Sequence, residues 1–430
     1  MTGKGHFLFV TWEGGGNVPP VLGLAKALVG RGHTVTVLAE PCLETRIRDV
    51  GCRFLPFTDH LTRTSRDEVL LADWKAASAP GALRETIKCL MFGPSQTIAH
   101  QTRVALTATK ADVLVADWLL PAALVAGEAA KTPTVALVHC INMLPMPGKP
   151  TAGMMPAKGR MGRLRDQLLS RLMHHLADGF LPNLNQARKD HGLKPLVRSM
   201  HQFNEATRIL VQSSDAFDIL PSPMPENLRY IGPHLSELDG ALEDIDPKWL
   251  SRDQGQPLLL ASLSTTFQNQ AETLRAVISG IDRARTATGF RPRAILTVGP
   301  SMDPDSFDAP DTITILQSAP HSRILPHVDA FVTHCGHGSV MKALSFGVPM
   351  VAVPMGRDQD DTAARIVARG LGVKTKARPR NIAKAIANVI DTPGYRQAAD
   401  AISNRIQADA ASSKGIDELE ALLPHVGSAA

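Results

Sequence analysis

Short apolar runs of β-type residues alternate with helix-like segments along most of this 430-residue chain. In the first unit, residues 7–11 form an apolar run, three glycines follow, and residues 19–29 form an amphipathic stretch. Strands that are buried on both faces have continuous apolar sequence, and strands joined through helices are parallel. The alternation therefore predicts an α/β protein whose parallel sheets are covered by helices on both faces.

Pro-rich, acidic sequence interrupts the alternation, and we interpret it as a linker at 221–256. The linker separates two doubly wound, Rossmann-like domains at 1–220 and 257–410, and we expect a tail at 411–430 to pack back on the first domain. The predicted strands are 7–11, 34–38, 113–116, 134–138, 209–212, 258–263, 293–298, 312–316, 330–333 and 350–353. Ligands bind beyond the carboxyl ends of strands in such sheets, so the cleft between the domains is the expected site.

Charge and cysteine content exclude several classes of protein. Lys and Arg number 46 against 41 Asp and Glu, and because the excess is scattered, nucleic acid is not an expected partner. The five cysteines include no CxxC pair, which argues against a zinc or disulfide framework. The first apolar run is shorter than the core of a secretory signal, and no stretch reaches the roughly 18 apolar residues of a spanning helix. We expect a cytoplasmic protein with no integral membrane segment.

A glycine turn between a strand and a helix contains the first group of candidate residues. His334, Gly336 and Ser339 follow the strand at 330–333, and a helix is predicted over 340–346. The free amides and the macrodipole of a helix N-terminus favour an anion by about 0.3–1 kcal/mol. The turn therefore suits a phosphate; the alternative is an ordinary glycine turn with a serine cap.

A second group follows the strand at 350–353. Asp358 and Gln359 stand at the carboxyl edge of the sheet, before a helix predicted from Thr362 with Asp360 or Asp361 as its cap. A carboxylate accepts hydrogen bonds, and an amide both donates and accepts them. The pair therefore suits sugar hydroxyls.

These residues resemble the signature of the nucleotide-sugar-dependent family 1 glycosyltransferases of GT-B fold, especially the bacterial enzymes that modify macrolides, polyketides and similar lipophilic metabolites. That signature reads His-x-Gly-x-x-Ser/Thr-x-x-Glu-x-x-x-x-Gly-Val-Pro, followed by Pro-x-x-x-Asp-Gln. The matching residues are His334, Gly336, Ser339, Gly347, Pro349, Pro354, Asp358 and Gln359. Further similarity, at Gly32-His33, Asp117, Ser262–Thr265 and Ala319–His321, extends the resemblance over nearly the whole chain.

The resemblance implies an acceptor-binding first domain and a nucleotide-sugar-binding second domain. In the second domain it implies contacts to the diphosphate from His334, Ser339 and Thr265, to the base from Ser318 and Ala319, and to the sugar from Asp358 and Gln359. It implies transfer from a UDP- or dTDP-sugar to a small lipophilic acceptor. We expect inversion, because an acceptor on the first domain attacks the anomeric carbon opposite the diphosphate, and we expect a monomer or homodimer. Neither a metal nor a cofactor is expected, because a helix terminus and hydrogen bonds neutralise the leaving diphosphate.

Two positions depart from the signature. Lys342 stands where the family has a Glu that binds ribose hydroxyls, which favours a deoxyribose donor such as a dTDP-sugar. Asn17 stands where relatives have a His or Asp base, and an amide cannot take a proton at neutral pH. Asp117 matches the Asp that orients the family's base, so it is the first candidate for a replacement base, directly or through water. Glu13 is the second candidate. The alternatives are a polar strand end that caps the following turn for Asp117 and an ordinary loop carboxylate for Glu13.

The acceptor side is predicted from residues near the end of the strand at 134–138. His139 follows that strand, and Met146 begins a Met-rich segment that extends to Met173. Methionine accommodates irregular apolar ligands, so His139 and Met146 are candidates for acceptor binding. Their alternatives are a hydrogen-bonded core histidine and ordinary core filling.

Two other functions compete with sugar transfer. Gly14-x-Gly16 after a strand, with Glu40 ending the next strand, fits an NAD-dependent dehydrogenase, although Pro19 stands at the third glycine position. Asn17 at the base position instead fits a non-catalytic GT-B protein that acts as an auxiliary to a partner enzyme.

Overall fold

The computed structural model describes residues 3–66, 68–76, 78–150, 153–236, 245–251, 256–264, 270–299 and 302–424. Strands in these ranges form two parallel sheets. The first sheet contains β1 (His6–Val10), β2 (Thr34–Ala39), β3 (Arg53–Pro56), β4 (Val113–Asp117), β5 (Thr134–Val138), β6 (Arg208–Val211) and β7 (Leu228–Tyr230). The second contains β8 (Leu258–Ser262), β9 (Arg293–Thr297), β10 (Ile313–Leu316), β11 (Ala330–Thr333), β12 (Met350–Ala352) and β13 (Gly372–Lys374).

Helices connect these strands and cover the sheets. They are α1 (Val18–Gly30), α2 (Glu44–Asp49), α3 (Ala79–Thr86), α4 (Ser95–Thr109), α5 (Ala122–Ala130), α6 (Gly159–Asp178), α7 (Leu181–Asp190), α8 (Ala271–Arg283), α9 (His321–Ile324), α10 (His337–Ser345), α11 (Gln359–Ala368), α12 (Pro379–Asp391), α13 (Pro393–Ala411) and α14 (Lys414–Glu420). None of the helices in the described ranges combines the length and the apolar character needed to cross a membrane.

Each sheet is doubly wound. The strand orders are β3-β2-β1-β4-β5-β6-β7 and β10-β9-β8-β11-β12-β13, so the order reverses between β1 and β4 and between β8 and β11. The register pairs Val10 with Ala116 in the first sheet and Ser262 with Thr333 in the second. Ligands of doubly wound folds bind at such reversal points. The loops that follow these strands are therefore the expected walls of a binding site.

Both faces of each sheet are buried, as the apolar runs predict. In β1, Phe7 and Phe9 belong to one apolar cluster, and Leu8 and Val10 belong to the cluster on the opposite face. The predicted α/β fold with two parallel-sheet domains is confirmed.

All ten predicted strands are present, with bounds that differ from the prediction by one residue at most at either end. The prediction omitted β3, β7 and β13, which are edge strands. An edge strand has one neighbour and needs less apolar sequence, and Arg53, Arg229 and Lys374 interrupt the apolar pattern of these three.

Part of the predicted linker belongs to the first sheet, because β7 pairs with β6. Residues 237–244 and 252–255 of that linker lie outside the described residues. At the carboxyl end, Leu419 and Leu423 lie in the same apolar cluster as Phe7, and His33 of the N-terminal domain bonds to Glu420 at 3.0 Å. The exact division of the chain into domains stays a prediction.

Candidate active site

Asn17 lies immediately before α1 and is buried. Its Nδ2 donates to the Trp12 carbonyl at 2.9 Å and to Asp117 Oδ2 at 3.1 Å, and its Oδ1 accepts from the Gly14 amide at 3.0 Å. The side-chain amide is therefore used to close its own loop and to hold Asp117. Asn17, which stands at the predicted base position, therefore positions the Asp117 carboxylate.

Asp117 is the last residue of β4 and is also buried. Its Oδ1 accepts from the Leu119 amide at 2.9 Å. Its Oδ2, which Asn17 reaches from one side, lies 3.3 Å from His139 Nδ1, although these two atoms are not aligned as a hydrogen bond. The structure therefore brings together Asn17, Asp117 and His139, which the sequence assigned to two different tasks.

Glu13, the second candidate base, is held by other groups. Its Oε1 accepts from the Gly15 amide at 2.6 Å, and its Oε2 lies 3.1 Å from Arg66 Nε. Arg46 lies 3.9 Å from the same oxygen. Two cations and an amide thus bind this carboxylate, which suits it to shaping the loop before α1.

His334 follows β11 and is buried, with its Nδ1 lacking a hydrogen-bond partner among the described residues. Burial lowers the pKa of His334 to about 4, so the imidazole is neutral at pH 7. Gly336 is needed beside it, because an added Cβ there would lie 2.6 Å from His334 Nε2. Cys335 between them has a φ of 72°, a left-handed conformation that turns the chain sharply into α10.

Helix α10 begins at His337, three residues earlier than predicted, because Gly336 and not Ser339 occupies the N-cap position. Ser339 is consequently in the first turn, where its hydroxyl forms no hydrogen bond with another residue of the described ranges. His337 Nε2 lies 3.0 Å from Ser213 Oγ of the N-terminal domain, and burial lowers the pKa of His337 to about 3. The start of α10 therefore contacts the other domain directly.

Asp358 and Gln359 stand at the start of α11, which also begins earlier than predicted. Asp360 and Asp361 are consequently residues of its first turn and do not cap it. Burial raises the pKa of Asp358. The side-chain Oε1 of Gln359 accepts from the Met355 and Gly356 amides at 2.8 and 3.2 Å, which fixes the loop that precedes the helix.

The remaining donor-side candidates are less informative. Ala319 is buried and Ser318 is half-buried after β10, while Thr265 lies outside the described residues. Lys342 is buried in α10, and its Nζ donates to the Ser236 carbonyl at 3.3 Å.

Within the described ranges, no group of three or more His, Cys, Asp or Glu is arranged to hold a metal ion.

On the acceptor side, Met146 is half-buried against the N-terminal core, and its sulfur accepts from Asn142 Nδ2 at 3.3 Å. Gly153, further along the chain, approaches the C-terminal domain. A Cβ added at Gly153 would lie 2.7 Å from Asp360 Cβ. Met146 therefore packs on the N-terminal domain, and Gly153 lies against the C-terminal domain.

Two ion pairs across the cleft had no signal in the sequence. Arg357 Nε and Nη2 bond to Asp73 at 2.9 and 3.0 Å, and buried Arg365 Nε bonds to buried Asp218 at 2.6 Å. Asp73 and Asp218 lie in segments without apolar periodicity, and each partner is 147 or more residues away along the chain. Ion pairs between residues so far apart along the chain can be identified only from the packing of the two domains.

Comparisons with known proteins agree with this architecture. Residues 288–422 match the family described as erythromycin biosynthesis protein CIII-like, C-terminal domain. Over 431 residues the chain is 27% identical to 4'-demethylrebeccamycin synthase of Lentzea aerocolonigenes, with 97% of this chain and 99% of that protein covered.

Solved structures are similar over almost their whole length. The glycosyltransferase of kitacinnamycin has a TM-score of 0.75 at 20% identity, with 99% of this chain and 100% of that chain covered. The glycosyltransferase VinC in complex with dTDP has a TM-score of 0.71 at 18% identity, with 97% and 99% covered. The comparisons confirm the predicted GT-B fold and the predicted class of enzyme, a glycosyltransferase.

Proposed function

We propose that this chain, a glycosyltransferase of GT-B fold, moves a sugar from a UDP- or dTDP-sugar to a small lipophilic natural-product acceptor, with inversion and without a metal ion. The observation that supports this most is His334, a buried imidazole whose Nδ1 has no partner among the described residues. A buried polar group without a hydrogen bond costs about 1–3 kcal/mol. A diphosphate oxygen at this position would remove that cost.

The turn around His334 suits a leaving diphosphate. The first amides of α10 and the Ser339 hydroxyl are donors at the end of β11, where the strand order of the sheet reverses. Burial keeps His334 neutral at pH 7, so its ring brings no second charge to the site, and the Ser262 backbone also bonds to this ring. Donors that are fixed before the reaction stabilise the charge that develops as the diphosphate leaves.

The nucleotide preference follows from Lys342. A carboxylate at this position accepts hydrogen bonds from both ribose hydroxyls, whereas an ammonium group can only donate. The Lys342 ammonium is bonded to the Ser236 carbonyl. Deoxyribose lacks one of the two hydroxyls, so we favour a dTDP-sugar, the class whose nucleotide VinC holds in its solved structure.

The acceptor would bind between the loop at 139–150 and the donor. Met146 lines this loop on the N-terminal side, and Gly153 contacts Asp360 beside the predicted sugar-binding residue Asp358. Apolar, flexible methionine side chains fit irregular aglycones. An acceptor oxygen that approaches from this side attacks the anomeric carbon opposite the diphosphate, and such a displacement inverts its configuration.

Nucleotide binding and sugar transfer by the purified protein test the proposal. We expect dTDP or UDP at 100 times its Kd to stabilise the fold by about 2.7 kcal/mol. His334→Ala should weaken nucleotide binding and slow transfer. His100→Ala, which changes an exposed histidine on α4, is the matched control. A folded His334→Ala variant with unchanged affinity and rate would contradict the assignment of the donor site.

The auxiliary-protein alternative rests on one observation, that the Asn17 amide is fully engaged and is no base. Turnover by the purified chain alone would exclude it. If the chain binds nucleotide, but transfer appears only with a second protein, the auxiliary role is favoured.

A further inference from the structure

The loss of a base at position 17 leaves Asp117 with a different imidazole beside it. Asp117 Oδ2 lies between two side chains, with Asn17 Nδ2 at 3.1 Å and His139 Nδ1 at 3.3 Å. Neutral imidazole accepts a proton readily near pH 7, whereas an amide does not. The family signature implies a base in the loop before α1 beside the Asp at the end of β4, and here an imidazole just beyond the end of β5 lies beside that Asp instead.

The sheet explains why His139 reaches Asp117. Strands β4 and β5 are parallel neighbours, and Asp117 is paired with Leu137. Side chains two residues apart along an extended chain leave on the same face, so His139 continues the row of Leu137 just beyond the strand end. The distance between His139 and Asp117 is therefore set by the order and register of β4 and β5, and not by the conformation of a loop alone.

His139 also faces the donor domain. Burial raises the pKa of Asp358, and a positive charge on His139 acts against that effect, so the imidazole lies within electrostatic reach of the predicted sugar-binding carboxylate. His337 at the start of α10 is within the same reach. The His139 side chain is 12% exposed, and it forms no hydrogen bond with a side chain in the described ranges. The imidazole is thus at the line where the two domains meet.

We propose that His139 is the general base of the transfer, with Asp117 as the residue that orients it and Asn17 as the residue that holds Asp117. This inference rests on the proposed function. In the reaction, His139 Nε2 takes the proton of the acceptor hydroxyl while the acceptor oxygen bonds to the anomeric carbon. The bond from that carbon to the diphosphate breaks, and its electron pair leaves with the nucleoside diphosphate. The imidazolium beside Asp117 then returns its proton to water.

Asp117 is better suited to orienting than to taking the proton. Its Oδ1 accepts from the amide of Leu119 in its own turn, and its Oδ2 is held by Asn17. A carboxylate next to Nδ1 favours the tautomer with the hydrogen on Nδ1, which leaves Nε2 as the acceptor. The 3.3 Å separation needs only a small closure to become a hydrogen bond, and catalytic bonds commonly tighten when substrate binds.

The test compares His139→Gln, Asp117→Asn and the control His100→Gln. General-base catalysis contributes about 10² to 10⁴-fold, so His139→Gln should lower kcat by that factor and leave nucleotide binding unchanged. It should also remove the limb of the kcat/KM profile that falls at acid pH. The ionisable groups facing this imidazole are Asp117 from β4, Asp358 before α11 and His337 from α10, so the profile is measured in Asp358→Asn as well. If the acid limb moves in Asp358→Asn and persists in His139→Gln, the inference is wrong.

Nitrogen-15 NMR of His139 supplies a readout that needs no acceptor. In the unaltered protein the Nδ1–H tautomer should dominate, and in Asp117→Asn the two tautomers should become mixed. A His139→Gln variant that transfers sugar within threefold of the unaltered rate, or a tautomer that Asp117→Asn leaves unchanged, overturns the assignment. Absence of nucleotide binding in the unaltered protein would instead overturn the proposed function, so the two failures are distinguishable.

Discussion

Arg357 and Asp73 form a two-point ion pair across the cleft, at 2.9 and 3.0 Å. Arg357 has a φ of 57°, in the left-handed region that costs a non-glycine residue about 1–3 kcal/mol. It also directly precedes Asp358. The pair therefore fixes the loop that presents the predicted sugar-binding carboxylate, and it couples that loop to the N-terminal domain.

Removing the Arg357–Asp73 ion pair should raise the KM for the sugar donor. We expect Asp73→Asn to raise the KM for the sugar donor about fivefold, since a part-exposed ion pair contributes roughly 1 kcal/mol. Glu44→Gln breaks an exposed Glu44–Arg48 pair within α2 and serves as the control. Steady-state kinetics with varied donor measures the effect, and equal KM values in both variants would contradict the coupling.

The buried pair between Asp218 and Arg365 should be a major contributor to stability. Burial acts to raise the pKa of Asp218, but Arg365 and Lys149 outweigh it and hold that pKa below its ordinary value. Removing one partner of a buried pair leaves an uncompensated charge and costs about 3–5 kcal/mol. We therefore expect Asp218→Asn to lower the free energy of unfolding by about 3–5 kcal/mol, as measured by urea unfolding.

Asp215→Asn is the matched control for this loss. Asp215 pairs with Arg405 at 2.9 Å, but its side chain is 41% exposed. Exposed pairs contribute about 1 kcal/mol or less. Similar losses in the two variants would show that burial does not determine the strength of the Asp218–Arg365 pair.

Stability should decrease as the pH falls below 6.5. The folded-state pKa values are about 4 for His334 and about 3 for His337, both lowered by burial, against an ordinary value of 6.5. Between pH 6.5 and 4 the unfolded chain binds protons that the folded chain excludes, so each imidazole lowers the free energy of unfolding by at most about 1.4 kcal/mol per pH unit. Above pH 6.5 this contribution is complete.

Urea unfolding at several pH values between 6.5 and 4 checks this slope. His337→Gln should remove about half of the part due to the two imidazoles, whereas the exposed control His100→Gln should leave the slope unchanged. A slope that His337→Gln does not alter would contradict the neutral, buried state of that ring.

Replacing Lys342 should change the choice of nucleotide. We expect Lys342→Glu to shift the ratio of UDP to dTDP affinity about tenfold toward UDP, which corresponds to roughly one well-formed hydrogen bond to a charged group. Lys384→Glu changes an exposed lysine on α12 and controls for net charge. Calorimetric titration of both nucleotides gives the ratio, and an unchanged ratio in Lys342→Glu would contradict a role for this position in ribose recognition.

The sequence predicted the interior strands because burial on both faces demands continuous apolar runs, as in β4 and β5. The sequence analysis missed edge strand β13, because an edge strand does not require a continuous apolar run and the sequence of β13 is Gly-Val-Lys. His334, Gly336 and Asp358 lie within one short stretch of sequence, so these donor-side candidates could be proposed from their spacing alone. The approach of His139 to Asp117 depends on which strands are neighbours and in what register. A list of strands does not contain that information, and His139 was consequently assigned to acceptor binding alone.

Whether this cleft moves sugars is answered most directly by mixing the purified protein with a dTDP-sugar of known anomeric configuration and a series of phenols of graded acidity. Proton NMR of the product then gives the anomeric configuration. The proposed displacement requires a glycoside of inverted configuration, formed without added metal and more slowly in His139→Gln, with the largest loss for the least acidic phenol. A product of retained configuration, or no product from a protein that binds neither dTDP nor UDP, would contradict it.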